Sequence, residues 1–541
     1  MSAQTMWAGL CAALVSSSVT MAAVWPKFAG TPGNTASVIG TPPPNLGEAV
    51  VTNSPQLGVK QSSSVAANYG NVYVYANGVT GTLYCLDSAN LSVKWAAPVP
   101  VDDSYGWGSW ATPCVMNSSV VFAADGYLGC WNLDGSLRWQ TTMARETVNS
   151  SPVIAGNRVL VGCFSYMNLD GGIAAYHLQT GSQLWYTAAI PNSTFSSCTP
   201  AVDEAAGRAY AVCSNQVWCV DLATGQIVWQ ASAPGAGLQL NNVALAQGTL
   251  LAVNYDFMFG PTNLFAFSAA NGAFLWSAAC GMSDVPPAVH GPTVIHSCGD
   301  NIVPPAITAF DLSTGTQKWR RAGLGSMYLT PAAAGGIVYA AVGVYSGWSL
   351  LTMSNLTALS VTDGSNLWAT GTTRGGQAPA IAEDVIYTAN DGVVYAYRWP
   401  TLNLLTRRFS AGINTAAGGK DKLKFTANID VNPIQPPLTP TYVRIGDFVV
   451  HGNDLSFVPL PNRLYDFKSS TKFSTKGAFI NASGKNGVYA GMLPYLPNDG
   501  VTQARVPITI MTLEGKYLRG EVDVTLRTKK GRVRASLVKT Q

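Results

Sequence analysis

At 541 residues the chain exceeds what one ordinary core fills, and only 11% of it is charged, against about 25% in an average globular protein. This composition, with Gly at 54 positions, excludes a disordered chain and a charge-laced helical one, and it suits β structure outside the cytoplasm. The net charge of +4 hides an asymmetry: residues 413–541 hold 18 Lys and Arg against 9 Asp and Glu, while the rest holds 14 against 19. No basic run interleaved with aromatics precedes residue 413, so no nucleic-acid partner is expected.

The first predicted element is apolar, from Met6 to Val15, and is followed by small residues up to Ala22 and Ala23. Residues 1–23 resemble a signal peptide, although the first 26 residues contain no Lys or Arg where a positive segment belongs. The expected location is therefore secreted, periplasmic or cell-surface. No later segment has 18 consecutive apolar residues, so no transmembrane helix is expected.

A repeat dominates residues 24–411. The phrase LYCLDSANLSVKW ends at Trp95, and its equivalents end at Trp139, Trp185, Trp229, Trp276, Trp319 and Trp368, at intervals of 44, 46, 44, 47, 43 and 49 residues. Each copy reads as two antiparallel strands around a tight turn: Val217, Cys219 and Leu222 alternate near Asp221, Thr224 and Gly225 supply the turn, and Ile227 opens the next strand. Asp87, Asp221 and Asp311 are read as acceptors for turn amides, and the closing Trp as a blade-docking anchor. Upstream of each copy lies another strand pair, as in SSPVIAGNRVLVGCF, which gives four strands per period. An eighth copy, VVYAYRWPTLNLLTRR, keeps the strand but has Leu404 and Leu405 near the place of the Trp.

The phrase Ala-x-Asp-x-x-Thr-Gly-x-x-x-Trp is similar to the tryptophan-docking repeat of pyrroloquinoline-quinone-type β-propellers, and the entry segment Trp25–Thr35 resembles their opening. The resemblance implies an all-β, eight-bladed propeller, with seven blades as the alternative count, closed by a strand from residues 24–60 on the last blade. Enzymes of that fold use the quinone, a calcium ion held by carboxylate and amide ligands, a catalytic Asp and often a disulfide between adjacent cysteines. This chain has no Cys-Cys dipeptide and four glutamates before residue 413. Glu146 with Asn149 is the best imitation of a calcium-ligand pair, and Arg145 is placed to neutralise a quinone carboxylate. No catalytic residue is carried over.

Nine cysteines lie between Cys85 and Cys298. Cys85, Cys130 and Cys219 share a repeat position with Ala175, Ala266, Ala309 and Ala358 and are read as small core residues. Cys114, Cys198, Cys213, Cys280 and Cys298 lie near strand ends and are candidates for disulfides, with the pairing open. His177, His290, His296 and His451 show no metal-ligand spacing, and no nucleophile elbow or phosphate loop is present. The blade-connecting loops are rich in aromatics, among them Tyr105, Trp107, Tyr255, Phe257 and Tyr328, and are expected either to form a ligand face or to fold inward.

Residues 412–541 lack the repeat and alternate as strands with Gly, Pro and Asn turns, which predicts a small β-sandwich or barrel. The acid-free stretch Arg527, Lys529, Lys530, Arg532, Arg534 and Lys539 is a candidate contact for an anionic surface. The functional expectation is a non-catalytic binding or assembly scaffold for a protein or polysaccharide partner, with no cofactor. The alternatives are a dehydrogenase of alcohols or sugars dependent on the quinone and calcium, and a carbohydrate-binding adhesin.

Overall fold

The computed structural model describes residues 25–38, 50–59 and most of 63–398. The connecting segments 77–80, 102–110, 144–149, 166–169, 189–197, 236–239, 255–262, 300–303, 347–348 and 371–374 and a few single positions fall outside the described residues, and beyond 400 the described residues are strands between 401 and 537. All described regular structure is β. The chain divides into two compact units, one comprising Ala22–Leu402 and the other Asn403–Ile510 with Leu518–Gln541.

The first unit is a ring of eight blades spanning Ala66–Pro98, Cys114–Thr142, Val153–Ala188, Ala201–Ser232, Leu240–Ala279, Ala288–Ala322, Ala332–Ala369 and Ala380–Arg398. The short first strands of successive blades contact one another, and that of blade 8 contacts that of blade 1, so they line the axis and close the circle. Blade 8 has three strands of its own, and Val50–Asn53 supplies the outermost one in antiparallel register, Val50 opposite Arg398 and Asn53 opposite Tyr395. That added strand pairs an edge that would otherwise face water.

Tryptophan docking explains the repeat phrase. The indole Nε1 of Trp95, Trp139, Trp185, Trp229, Trp276 and Trp319 donates to a main-chain carbonyl of the following blade, at Leu133, Leu178, Leu222, Ala269, Leu312 and Val361 respectively, over 2.8–3.3 Å. Each of these rings lies on the turn glycine of that next blade. At Gly315, whose φ is +70°, an added Cβ would stand 2.5 Å from the Trp276 ring, and Gly135, Gly181, Gly225, Gly272 and Gly364 repeat the arrangement. The turn therefore needs glycine twice over, for a left-handed backbone and for a seat with no Cβ. Across the strand pair each Trp faces the small position: Cys85, Cys130, Ala175, Cys219, Ala266, Ala309 and Ala358 stand opposite the seven tryptophans.

The seam between blades 8 and 1 is built differently. Leu404 and Leu405 do not take the Trp place, because both lie in the strand Thr401–Asn414 and pair with Ile429 and Asn428 in the second unit. The carbonyl of Ser88, which corresponds to the indole acceptors elsewhere, instead accepts from the Tyr387 hydroxyl at 3.4 Å and from Arg398 Nη2. With no ring to seat, the turn glycine of blade 1 is replaced by Leu91, which holds φ +60° and is fully buried.

The second unit is a nine-stranded sheet in the order Phe448–His451, Pro440–Ile445, Gly500–Thr512, Tyr517–Lys529, Arg532–Leu537, Thr401–Asn414, Asp421–Ile429, Gly477–Gly487, Asp466–Ser474.

Candidate functional site

The axis of a propeller is the usual place to look for a ligand, and here the chain's own N-terminal segment occupies it. A central residue of the first strand in blades 1, 2, 4, 5, 6 and 7 points its N–H toward the axis, where an empty dry channel would leave it orphaned, while in blade 3 the equivalent Ile154 N–H donates to Cys114 Sγ at 3.4 Å. Trp25 exchanges two main-chain bonds with Ala67 of blade 1. Thereafter Pro26 O accepts from Val115 of blade 2, Pro32 O from Val202 of blade 4, Gly33 O from Leu245 of blade 5, Thr35 O from Val289 of blade 6 and Ala36 O from Ala333 of blade 7, over 2.6–2.8 Å. Ser37–Val38 then lies parallel to the first strand of blade 7. The segment thus follows the blades in order around the axis before its continuation completes blade 8.

Holding this path strains the backbone, since Ala29, Asn34 and Ala36 all have positive φ. Lys27 and Asn34 offset the strain by bracing the turn. The fully buried Lys27 ammonium donates to Phe28 O at 2.7 Å, Thr31 O at 2.8 Å and Asn34 Oδ1, and the Asn34 amide donates to Thr199 O and Val243 O at 2.9 and 3.1 Å. Burial lowers the Lys27 pKa to about 7.

A second feature, missed in the sequence, is a belt of buried polar groups at the entry to the first strands. Thr112 N–H donates to Ser151 Oγ at 2.9 Å, Ser151 N–H to Thr199 Oγ1 at 2.9 Å, Thr199 N–H to Asn242 Oδ1 at 3.0 Å, Asn242 Nδ2 to Asp284 O at 2.6 Å, and Asp284 N–H to Met327 O at 2.8 Å. These bonds join blade 2 to blade 7 in succession. The signal was the recurrence of Thr112-Pro113, Ser151-Pro152, Thr199-Pro200 and Thr330-Pro331 before the first strands, where the Ser151 and Thr199 hydroxyls accept from the preceding blade. Asp284 is the buried carboxylate of the belt, and the Asn241 amide donates to its Oδ1.

The aspartates of the repeat are turn residues. Asp221 Oδ1 accepts from the amides of Ala223 and Thr224, and Asp311 does the same for Ser313 and Thr314, so the Ser313 hydroxyl and amide hold the Asp311 carboxyl down to about 2. His177 serves its turn through Nδ1, accepting from Gln179 N–H. His296 is buried with Nε2 on Gly281 O, and desolvation lowers its pKa to about 4, so it is neutral. His290 braces the N-terminal segment: its Nε2 accepts from Gly336 N–H, so Nδ1 donates to Ser37 Oγ. Among the described residues all nine cysteines are thiols, eight of them buried.

Tyr105, Trp107, Arg145, Glu146, Asn149, Tyr255 and Phe257, the residues proposed from sequence for a ligand face, all lie outside the described residues. Tyr328 is described and buried. A calcium ion takes six to eight oxygen ligands. The described residues present no group of three His, Cys, Asp or Glu side chains suited to a metal, and the belt carboxylate is already engaged by Asn241. Residues 25–36 fill the axis, and Arg145, Glu146 and Asn149, the residues proposed for quinone and calcium, lie outside the described residues. No helix of the described residues is long and apolar enough to cross a membrane.

Four-stranded blades seated by tryptophan on glycine and closed by an N-terminal strand define the class as an eight-bladed quinoprotein-like propeller. More particularly, the chain belongs to the family described as outer membrane protein assembly factor BamB, whose model matches residues 102–254 and 214–430. It is 27% identical over 337 residues to the outer membrane protein assembly factor BamB of Burkholderia pseudomallei, covering 60% of this chain and 81% of that protein. It is 26% identical over 306 residues to the tetrathionate hydrolase of Acidithiobacillus ferrooxidans, covering 41% of this chain and 60% of that one. In fold it is similar to the quinohemoprotein alcohol dehydrogenase of Comamonas testosteroni, with a TM-score of 0.51 at 12% identity, covering 89% of this chain and 83% of that structure.

Proposed function

We propose that the protein is an extracytoplasmic, non-catalytic scaffold that holds a protein partner in envelope assembly through the loop face of its propeller. The observation that carries this reading is the occupied axis: residues 25–36 engage the inward-facing amides of six of the eight first strands with the chain's own backbone, which leaves the loops as the surface for recognition. Family membership and the 27% identity to an outer membrane assembly factor support the same reading.

The second unit supplies an attachment suited to an anionic surface. Its strands Tyr517–Lys529 and Arg532–Leu537 place Arg527 opposite Arg534 and Lys529 opposite Arg532, and Arg527, Lys529 and Arg534 are exposed. Like charges facing each other across a strand pair destabilise it unless an anion lies between them.

The test is a photo-crosslinking residue at Tyr255 in intact envelopes, run beside reconstitution of the purified protein with the quinone and calcium. A specific crosslink to a protein of outer membrane protein assembly without dye reduction is the expected result. A calcium-dependent quinone chromophore with reduction of dye by alcohols overturns the scaffold reading.

A further inference from the structure

We infer that the seam between blades 1 and 2 is a binding site for one uncharged pyranose residue of a glycan, separate from the loop face and independent of the scaffold reading. A cavity of about 580 Å³ opens there, between the outermost strand of blade 1, Val93–Pro98, with its continuation to Val101, and the outer strand pair of blade 2, Tyr127–Asn132 and Leu137–Thr142. Sites for small ligands commonly enclose about 300–1,000 Å³, mostly apolar, with a few polar groups that orient the ligand.

One glycine opens this seam. In blades 1 to 7 the residue opposite the one that follows the docking Trp faces back toward the preceding blade. It is Tyr84 in blade 1, Trp218 in blade 4 and Phe265 in blade 5, and only in blade 2 is it a glycine, Gly129, opposite Gln140. Tyr127 and Trp131 flank Gly129 on the same face of the strand and close over it, so that an added Cβ would stand 2.6 Å from Tyr127 Oη and from the Trp131 ring. The two ring centroids are 6.3 Å apart. Trp131 is buried and backs the cavity, while the partly exposed Tyr127 ring is left as an apolar platform and exposed Leu137 carries it to the rim.

Polar groups border the platform on both sides. On blade 2 the Tyr127 hydroxyl donates to Gln140 Oε1 at 3.3 Å, which leaves the amide N–H groups of the exposed Gln140 to donate to a ligand. Burial pushes the Tyr127 phenol up to about 12, so it stays neutral. On blade 1 Val99 N–H donates to Gly81 O, next to the facing pair Pro98 and Thr82. Alternation along the antiparallel ladder then turns the N–H and C=O of Ala96 and the C=O of Pro98 out from the sheet, at the edge of the cavity.

These groups select the occupant. No lining residue is ionised, so nothing in the cavity balances a charged ligand. An added peptide strand is disfavoured because Lys94 and Pro98 sit in the edge strand, and Pro98 has no N–H to offer it. A neutral aromatic molecule would cover the Tyr127 ring but leave the polar groups on both rims without partners. A pyranose ring meets both demands, with carbon-bound hydrogens on its face for the phenol ring and hydroxyls around its edge that donate to the Ala96 and Pro98 carbonyls and accept from Ala96 N–H and the Gln140 amide.

The experiment titrates the full chain with four neutral disaccharides, maltose, cellobiose, lactose and N,N′-diacetylchitobiose, and with phenol, by isothermal calorimetry and saturation-transfer NMR. At least one of the sugars is expected to bind with a Kd of about 1 mM or tighter. Gln140→Ala, a change at an exposed side chain, should weaken that binding about tenfold. Gly129→Val, which fills the cavity, should abolish it, and Gln140→Ala carries the test should the valine variant fail to fold. Gln230→Ala, at the corresponding place in blade 4 where Trp218 stands opposite, should leave it unchanged. Binding of none of the sugars, sugar binding that survives Gln140→Ala undiminished, or binding of phenol in place of the sugars overturns the inference.

Discussion

Gly315→Ala isolates the contribution of one tryptophan seat. The added methyl meets two penalties at this position. At φ +70° it costs about 1–2 kcal/mol for placing an L side chain in the left-handed region. It would also stand 2.5 Å from the Trp276 ring, which must move and stretch the 3.0 Å bond from Trp276 Nε1 to Leu312 O, worth about 1 kcal/mol, with further loss of packing. The expected total is about 3–4 kcal/mol, which approaches the 3–5 kcal/mol typical of truncating a buried Trp to Ala. Gly291→Ala is the control, because Gly291 holds φ +56° with nothing within 4 Å of its would-be Cβ, so it carries the backbone penalty alone. Urea unfolding followed by tryptophan fluorescence should place the midpoint of Gly315→Ala well below that of Gly291→Ala. Equal midpoints would refute the claim that the glycine is there to seat the ring.

Three further outcomes are expected. Leu91→Gly, which recreates the repeat consensus at the one seam with no tryptophan to seat, should destabilise by about 2–4 kcal/mol in the same assay through the cavity it leaves. Thr52→Pro removes an N–H from the hydrogen-bonded side of the closing strand, whereas Val51→Pro removes one that points away from it, as the bond from Ser54 N–H to Val394 O fixes by alternation; limited proteolysis should cut blade 8 in the first variant and spare it in the second. Lys27 holds about 7 when folded against 10.5 when unfolded, so the unfolded chain binds the extra proton between these values and stability rises with pH across that window. Comparing wild type with Lys27→Met from pH 7 to pH 9 should show the wild type gaining about 2–3 kcal/mol relative to the variant, and parallel pH profiles would contradict a buried Lys27.

Much of the ring is legible because it repeats. Trp and the small residue opposite it recur in seven blades and the seating Gly in six, so one physical reason accounts for each repeated instance. The seam of blades 8 and 1 was not legible, because Tyr387, Arg398 and Leu91 replace Trp and Gly with different chemistry from distant positions, and Leu404 and Leu405 invited assignment to a place they do not occupy. The belt was half visible: Thr-Pro and Ser-Pro recur, but Asn242 and Asp284 carry the same interblade bonds without the motif. The filled axis left no periodic trace, since Trp25–Val38 meets six of the blades through main-chain carbonyls, which every residue owns. Of the site residues proposed from sequence, Trp95, Trp139, Trp185, Trp229, Trp276 and Trp319 bond to the following blade, while Tyr105, Trp107, Arg145, Glu146, Asn149, Tyr255 and Phe257 lie outside the described residues.

The central claim is that residues 25–36 form the axis of the ring, and amide hydrogen exchange of the purified protein, read by mass spectrometry on peptides covering 25–38 and the first strands at 201–203, 288–290 and 332–334, tests it most directly. The account predicts that the N-terminal peptide exchanges as slowly as the strands it bonds to, and that all of them become fast together in a protein lacking residues 24–38. Exchange of the N-terminal peptide at the rate of an unfolded chain, with the first strands still protected, would contradict it.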